Sequence, residues 1–322
     1  MRREPKRSMG TRWCGGFSRP FPCPETMDIE AQSRELLKRV REAVALASRA
    51  SNAESAGAYR STFRGSGLDF AELDEYRPGD EVRHIDWNAS ARAGRPFVRR
   101  FHEEREGHVL LVVDRSHRMH FGSRETLKVQ TAAVIAAVVA ILAVRNRDRV
   151  GLLTFGEDEP LSLAPTKGLQ RAIRVVREVL IPRPSSRAGE GDLVEALERL
   201  GRLTRRRSLV IVISDFLAPD GLEALTRLNS RHELLCVAIR DDLEWELPSA
   251  GLLQIEGVGL VDSSDGALRR RYAEGRAEQM HAVRSQLAKG GVDGLELRAG
   301  DDPVAPLLGW LQGRARRQRG WA

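Results

Sequence analysis

The sequence predicts an α/β protein built on a mostly parallel sheet with helices on both faces, beside a small β-rich region near the N-terminus. Two observations carry this. From His108 onward, short apolar runs alternate with helical stretches, the pattern of strand–crossover–strand units. The runs "HVLLVVD" and "SLVIVISDF" are continuously apolar rather than alternating, as strands buried on both faces must be.

The elements follow in order. Residues 1–26 are rich in Arg, Gly and Pro without periodicity, so a disordered basic leader is expected, with Met1 and Met27 both open as the start of translation. Residues 27–56 are read as an amphipathic helix, since Ile29, Leu36, Leu37, Val40, Val44 and Ala47 form one apolar stripe. Residues 57–107 are dense in turn formers around short extended pieces, "EVRHIDW" and "RPFVRRF", and are read as a β-rich accessory region.

Residues 108–322 hold the main α/β domain and an Arg-rich tail. Its first strand, 108–114, leads to a helix over about 124–145. Strands follow at 148–156 and, antiparallel to it, in "PLSLAPTKG". Helices are expected near 168–180 and 191–204, then a strand at 208–216 and a helix from about Pro219, a residue suited to a first turn. A strand at 232–240, a hairpin within 241–266 and a helix over 267–289 come next. A strand at 291–300 and a helix over about 303–317 close the chain.

Composition narrows the function classes. With 41% hydrophobic and 30% charged residues over 322 positions, the chain builds a substantial core. The net charge of +7 and pI near 9.8 invite a nucleic-acid reading, but the charge sits in the tails. Residues 1–26 carry a net of four positive charges, and Arg314, Arg316, Arg317 and Arg319 carry four more, leaving the body near neutrality. Cys14, Cys23 and Cys236 form neither a disulfide framework nor a zinc pattern, which suits a cytoplasmic location. The longest apolar run, Ala132 to Val144, is too short to cross a bilayer and reads as a core helix.

The chemistry is expected where strands end. Ligands of open parallel sheets sit beyond the carboxyl ends of strands, where strand order reverses. Two apolar strands here run into Asp114 and Asp215, and Ser116 follows the first. These are hard oxygen donors of the kind that suits Mg²⁺ or Mn²⁺. Spacing leaves equally open that each aspartate only caps the following turn. His117 and His120 lack further clustered ligands for a transition metal. Ser116 has no Gly-x-Ser-x-Gly elbow, and no phosphate-cradling loop is present. No catalytic motif emerges, so the chain is read as a non-enzyme.

"LLVVDRSHRM" followed by "VIVISDF" resembles the von Willebrand factor A fold. The longer stretch from "GSGLDFAELDEYRPGDEVRHIDW" through "FHEEREGHVLLVVDRSHRMHFG", with "DRVGLLTF", "VISDFL" and "LPSAGLLQI", resembles the bacterial domain of unknown function 58 family. That resemblance implies a metal-ion-dependent adhesion site of Asp-x-Ser-x-Ser, a threonine and a later aspartate. Asp114, Ser116 and Asp215 match it. Arg118 stands for the second serine, and Gly191 stands where the threonine is expected.

Guanidinium cannot ligate a cation. Arg118 is therefore expected to pair with Asp114 or Asp215, leaving a degenerate site that binds Mg²⁺ or Mn²⁺ weakly or not at all. The resemblance further implies a MoxR-type AAA+ ATPase as protein partner, hence a non-enzymatic adaptor or scaffold. The confinement of the charge to the tails and the short apolar run lead to the expectation that neither nucleic acid nor a membrane span is involved. The alternative is a metal-dependent enzyme using the same acidic edge.

Tyr76, Arg77, Asp80, His84 and Asp86 form a second candidate, a partner surface. Against it stands a structural reading, favoured here, in which they are a polar network and Trp87 is the buried anchor of the accessory region.

Overall fold

A computed structural model describes residues 68–77, 80, 82–103, 107–124, 126–181, 193–217, 221–255 and 259–319, with Lys38, Arg41 and Ala45. The basic leader, Cys14, Cys23, Met27, Gly191 and Pro219 lie outside these residues. So does most of the 27–56 helix, of which Lys38, Arg41 and Ala45 are helical and exposed.

The main domain is a six-stranded sheet. Its strands are β3 (His108–Asp114), β4 (Arg149–Phe155), β5 (Ser162–Thr166), β6 (Leu209–Ser214), β7 (Glu233–Arg240) and β10 (Asp293–Arg298), ordered β10-β7-β6-β3-β4-β5. All neighbours pair in parallel except β5, which runs antiparallel to β4 at the edge. The predicted α/β class and its antiparallel strand are both present. The chain starts in the middle with β3, builds outward through β4 and β5, then returns to β3's other side with β6. The order therefore reverses between β3 and β6, which is where a binding crevice opens in sheets of this kind.

Alternation along each strand sorts the core into two layers. Val109, Leu111 and Val113 of β3, with Leu209, Ile211 and Ile213 of β6, face α2 (Lys128–Arg145), α3 (Leu169–Leu180) and α8 (Val304–Arg319). Leu110, Val112, Val210 and Val212 face α4 (Leu193–Leu203), α5 (Leu222–Asn229) and α7 (Gly266–Lys289). Helix α2 needs small side chains to lie close on the sheet, and its Ala- and Val-rich sequence supplies them. With its flanking residues it reaches 18 residues, long and apolar enough to cross a bilayer, beyond the bare Ala132–Val144 run. It is nonetheless 78% buried inside the protein.

Helix α5 starts at Leu222, later than the sequence suggested, behind Gly221 in a left-handed conformation. The expected hairpin is formed by β8 (Leu252–Ile255) and β9 (Gly259–Asp262), antiparallel to each other. It follows α6 (Asp242–Trp245), one turn beyond the end of β7.

The accessory region pairs β1 (Leu68–Glu75) with β2 (Phe97–Glu103), and α1 (Trp87–Ala93) lies between them. "RPFVRRF" is a strand as expected, but "EVRHIDW" is not an extended piece. Val82–His84 is a 3₁₀ turn, and Asp86 caps α1 by accepting from the Asn88 and Ala89 N–H groups, both at 3.0 Å. This cap makes Trp87 the first helical residue of a helix with no buried residues, and Trp87 is 69% exposed. The expectation of Trp87 as a buried anchor is therefore incorrect. Among the described residues of this region, Val98 of β2, which bridges to Ile85, is the buried apolar one.

Candidate functional site: the acidic edge of the sheet

Three adjacent strands, β3, β6 and β7, run directly into aspartates: Asp114, Asp215 and Asp241. All three are at most 2% exposed. Burying a carboxylate is costly unless its lone pairs are satisfied, so the partners of each define the site.

Asp114 is satisfied by neutral donors. Its Oδ1 accepts from the Ser116 N–H at 2.8 Å, and its Oδ2 accepts from the Ser214 hydroxyl at 2.7 Å. Burial and the nearby Asp215 carboxylate push its pKa above the ordinary aspartate value, while these hydrogen bonds pull it back. Gly156, at the end of β4 with φ +78°, closes over this side. A Cβ there would meet Ser116 N at 2.8 Å and Asp114 Oδ1 at 2.9 Å. The Ser116 hydroxyl is buried and lacks a hydrogen-bond partner of normal geometry.

Asp215 is satisfied by cations. Its Oδ1 accepts from the Leu217 N–H at 3.0 Å. Its Oδ2 accepts from Lys128 Nζ at 3.0 Å and lies 3.6 Å from Arg118 Nε. Lys128 is fully buried and also donates to Glu244 Oε1 of α6 at 2.5 Å. Burial raises the Glu244 pKa, and the Lys128 ammonium opposes that rise. Arg118, in the 3₁₀ turn His117–His120, retains 21% side-chain exposure and is the outer of the two cations. Phe216, directly after Asp215, adopts φ +51°, uncommon for a bulky residue, and is buried.

Two further ties hold this edge. Asp241 caps α6 through the Leu243 N–H and reaches across to the Ser123 N–H at 2.7 Å. Arg115 is buried directly after Asp114. Its guanidinium donates to the Glu178 and Ile181 carbonyls at the C-terminus of α3, with Nε 3.7 Å from Glu157. Carbonyls at a helix C-terminus carry the negative end of the helix dipole, so a cation there is favoured.

The structure thus brings Asp114, Ser116, Asp215 and Arg118 together, and adds Lys128, Glu244, Asp241 and Arg115, which sequence reasoning did not select. One signal was available for Lys128: a lysine in a first helical turn opposes the dipole and so needs acids nearby. Tyr76, Arg77, Asp80, His84 and Asp86 gather elsewhere, around the turn before α1. There Asp80 accepts from the Arg77 N–H at 2.9 Å, and Tyr76 N–H donates to Pro96 O at 2.9 Å.

Tested against a divalent cation, these donors do not fit. The best-placed oxygen of Asp215 is taken by an ammonium, a guanidinium stands behind it, and both Asp114 oxygens accept protein hydrogen bonds. Among the described residues, no group of three or more His, Cys, Asp or Glu side chains is arranged to hold a metal ion.

Comparison with known proteins places the chain. An uncharacterized protein of Mycobacterium bovis and one of Mycobacterium tuberculosis are each 32% identical to it over 258 residues, 78% of this chain and 81% of theirs. Among solved structures, the conserved hypothetical protein BatB from Bacteroides thetaiotaomicron aligns with 65% of this chain and 99% of its own, at 13% identity and a TM-score of 0.39. The SpRpn10 VWA domain aligns with 64% of this chain and 95% of its own, at 12% identity and a TM-score of 0.34. Residues 72–282, from β1 through most of α7 and so including the whole acidic edge, match the family described as "Protein of unknown function DUF58", and the chain belongs to that family.

Proposed function

We propose that this chain is a non-enzymatic adaptor that presents the carboxyl edge of its sheet to a protein partner, a MoxR-type AAA+ ATPase. The observation that carries this reading is the internal satisfaction of the edge. Asp114 is held by Ser116 and Ser214, Asp215 by Lys128, and Asp241 by Ser123 and Leu243. A general base or nucleophile needs a reactive group within reach of substrate, whereas these carboxylates are buried and committed to fixing loops. Around them the surface offers Arg118 and the exposed Phe121, a charged and apolar pairing suited to a protein contact. The ATPase partner follows from the family resemblance, and a cytoplasmic location belongs to the same proposal. Cys236 is compatible with it, since burial pushes its thiol up to about 12 and keeps it unreactive.

The test is affinity purification of the tagged chain with mass spectrometry, alongside Asp114→Ala and the surface variants Arg118→Glu and Phe121→Asp. An AAA+ ATPase enriched by the wild type and lost with the surface variants is the expected result. A chain that retains no ATPase, or shows turnover that Asp114→Asn abolishes, refutes the adaptor reading.

A further inference from the structure

We propose that the amino edge of the sheet, at the other end of the strands from the acidic one, binds the phosphate backbone of a nucleic-acid duplex without reading its sequence. The expectation against nucleic acid rested on positive charge confined to the tails, but the fold gathers further charge on one face. All five parallel strands start at this edge. Arginines far apart in the chain therefore meet there: Arg147 and Arg149 beside the start of β4, Arg205, Arg206 and Arg207 before β6, and Arg231 before β7. All but Arg149 are exposed. Neighbouring strands lie about 4.8 Å apart, so β7 to β4 spreads the band over about 14 Å. Helix α8 extends it. Trp310 of α8 meets Asp293 at the start of β10, so the arginine-rich last turns of the helix run on past this edge.

The acids at the same strand starts are fewer and engaged. Asp148 is buried and accepts from the Gly107 N–H at 2.7 Å, Glu233 lies 3.4 Å from Arg207, and Asp293 accepts from Trp310 Nε1–H at 3.1 Å. Burial lowers the pKa of His232, and the Arg231 and Arg207 guanidiniums lower it further, as a net positive field does. Helix dipoles explain only part of this charge. Helices α2, α4, α5 and α7 also end at the amino edge, each with a basic residue in its last turn. The six arginines lie outside those turns, in the connections to the strands. Guanidinium forks match phosphate oxygens two at a time. Among the described residues, these connections hold no exposed large apolar side chain. The band thus lacks the anchors of a protein interface and the aromatic platforms on which unpaired bases stack. Nor is the edge a plane, since the accessory region joins β3 there and α8 passes beyond it. That shape suits a charged rod better than a bilayer, and the contact left to it is electrostatic.

The experiment titrates the full chain with a fluorescent DNA duplex of about 30 base pairs, with its single strand, and with vesicles of phosphatidylcholine and phosphatidylserine, between about 50 and 200 mM salt. Arg205→Glu with Arg231→Glu is compared with Arg270→Glu with Arg271→Glu, an exposed pair near the start of α7 that changes the net charge equally. The wild type is expected to bind duplexes of unrelated sequence alike and to lose about tenfold or more across that salt range. The amino-edge pair should weaken binding about tenfold, and the α7 pair by less than about threefold. Melting curves check that both fold. Arg205→Gln with Arg231→Gln, which removes charge without reversing it, should weaken binding in the same direction by a smaller factor. The proposal is overturned by equal losses in the two Glu pairs, by tighter binding to the single strand or to the vesicles, or by a wild type that does not bind the duplex. No partner protein enters these readouts, so they stand or fall separately from the adaptor reading.

Discussion

The acidic edge and the accessory region are both crowded with charge, yet they use it in opposite ways. At the edge the charges are buried and matched across the chain: Lys128 bonds Asp215 87 positions away and Glu244 116 positions away, and Ser123 reaches Asp241 over 118. In the accessory region the polar side chains at the turn serve their own neighbours, as when Asp80 accepts from Arg77 and Asp86 caps its own helix, and the longer-range Arg95–Glu75 pair is exposed. Distant partners fix how elements meet, whereas near ones fix only a turn. The first kind builds a site and the second builds a scaffold.

If that contrast is right, Asp215→Ala should be the most damaging change. It strips Lys128 of one anion and leaves an under-compensated buried ammonium, at a cost of about 3–5 kcal/mol in chemical denaturation. A result under 1 kcal/mol would mean the edge is far wetter than the burial of these groups indicates.

Asp114→Asn should act in the other direction. Because burial and Asp215 raise the Asp114 pKa, the folded state holds this proton to higher pH than the unfolded chain does. Stability therefore falls as pH climbs from the ordinary aspartate value through the raised one, and the amide variant should lack that fall. Melting curves from pH 3 to 8 for both proteins check this, and parallel profiles would exclude it.

On the accessory side, Asp86→Ala removes a cap with two backbone donors and should cost about 1 kcal/mol. Trp87→Ser should be the mildest, within about 0.5 kcal/mol, because an exposed ring contributes little packing. A large loss there would mean that Trp87 is covered by something in solution.

The same contrast explains what the sequence disclosed. Strands β3 and β6 are legible because a fully buried strand has no polar face to confuse the pattern. Asp114, Ser116 and Asp215 are legible because they stand where such runs stop. Lys128 shows only as a lysine in a first helical turn, and Glu244 not at all, since a pairing over 116 residues does not name its partner locally. Strand β1 was hidden by "LDFAELDE", whose acids break any apolar run. The "EVRHIDW" segment departs from the extended form its pattern predicts because Asp86 and Ser90 initiate a helix: Asp86 caps it, and the Ser90 hydroxyl donates to Asp86 O at 2.7 Å while accepting from Phe97 N–H at 2.8 Å.

The placement of Lys128 also bears on the order in which the chain can be completed during synthesis. Helix α2 leaves the ribosome long before the segments that carry Asp215 and Glu244. Until they arrive, an apolar helix of 18 residues has β3 and β4 to pack on but lacks β6, β7 and the acids that neutralise its first residue. Strand β6 must be made before β3 is flanked on both sides. The nascent protein therefore leaves its most membrane-like segment only partly covered until β6 and β7 are made, the kind of transient apolar exposure from which misassembly starts.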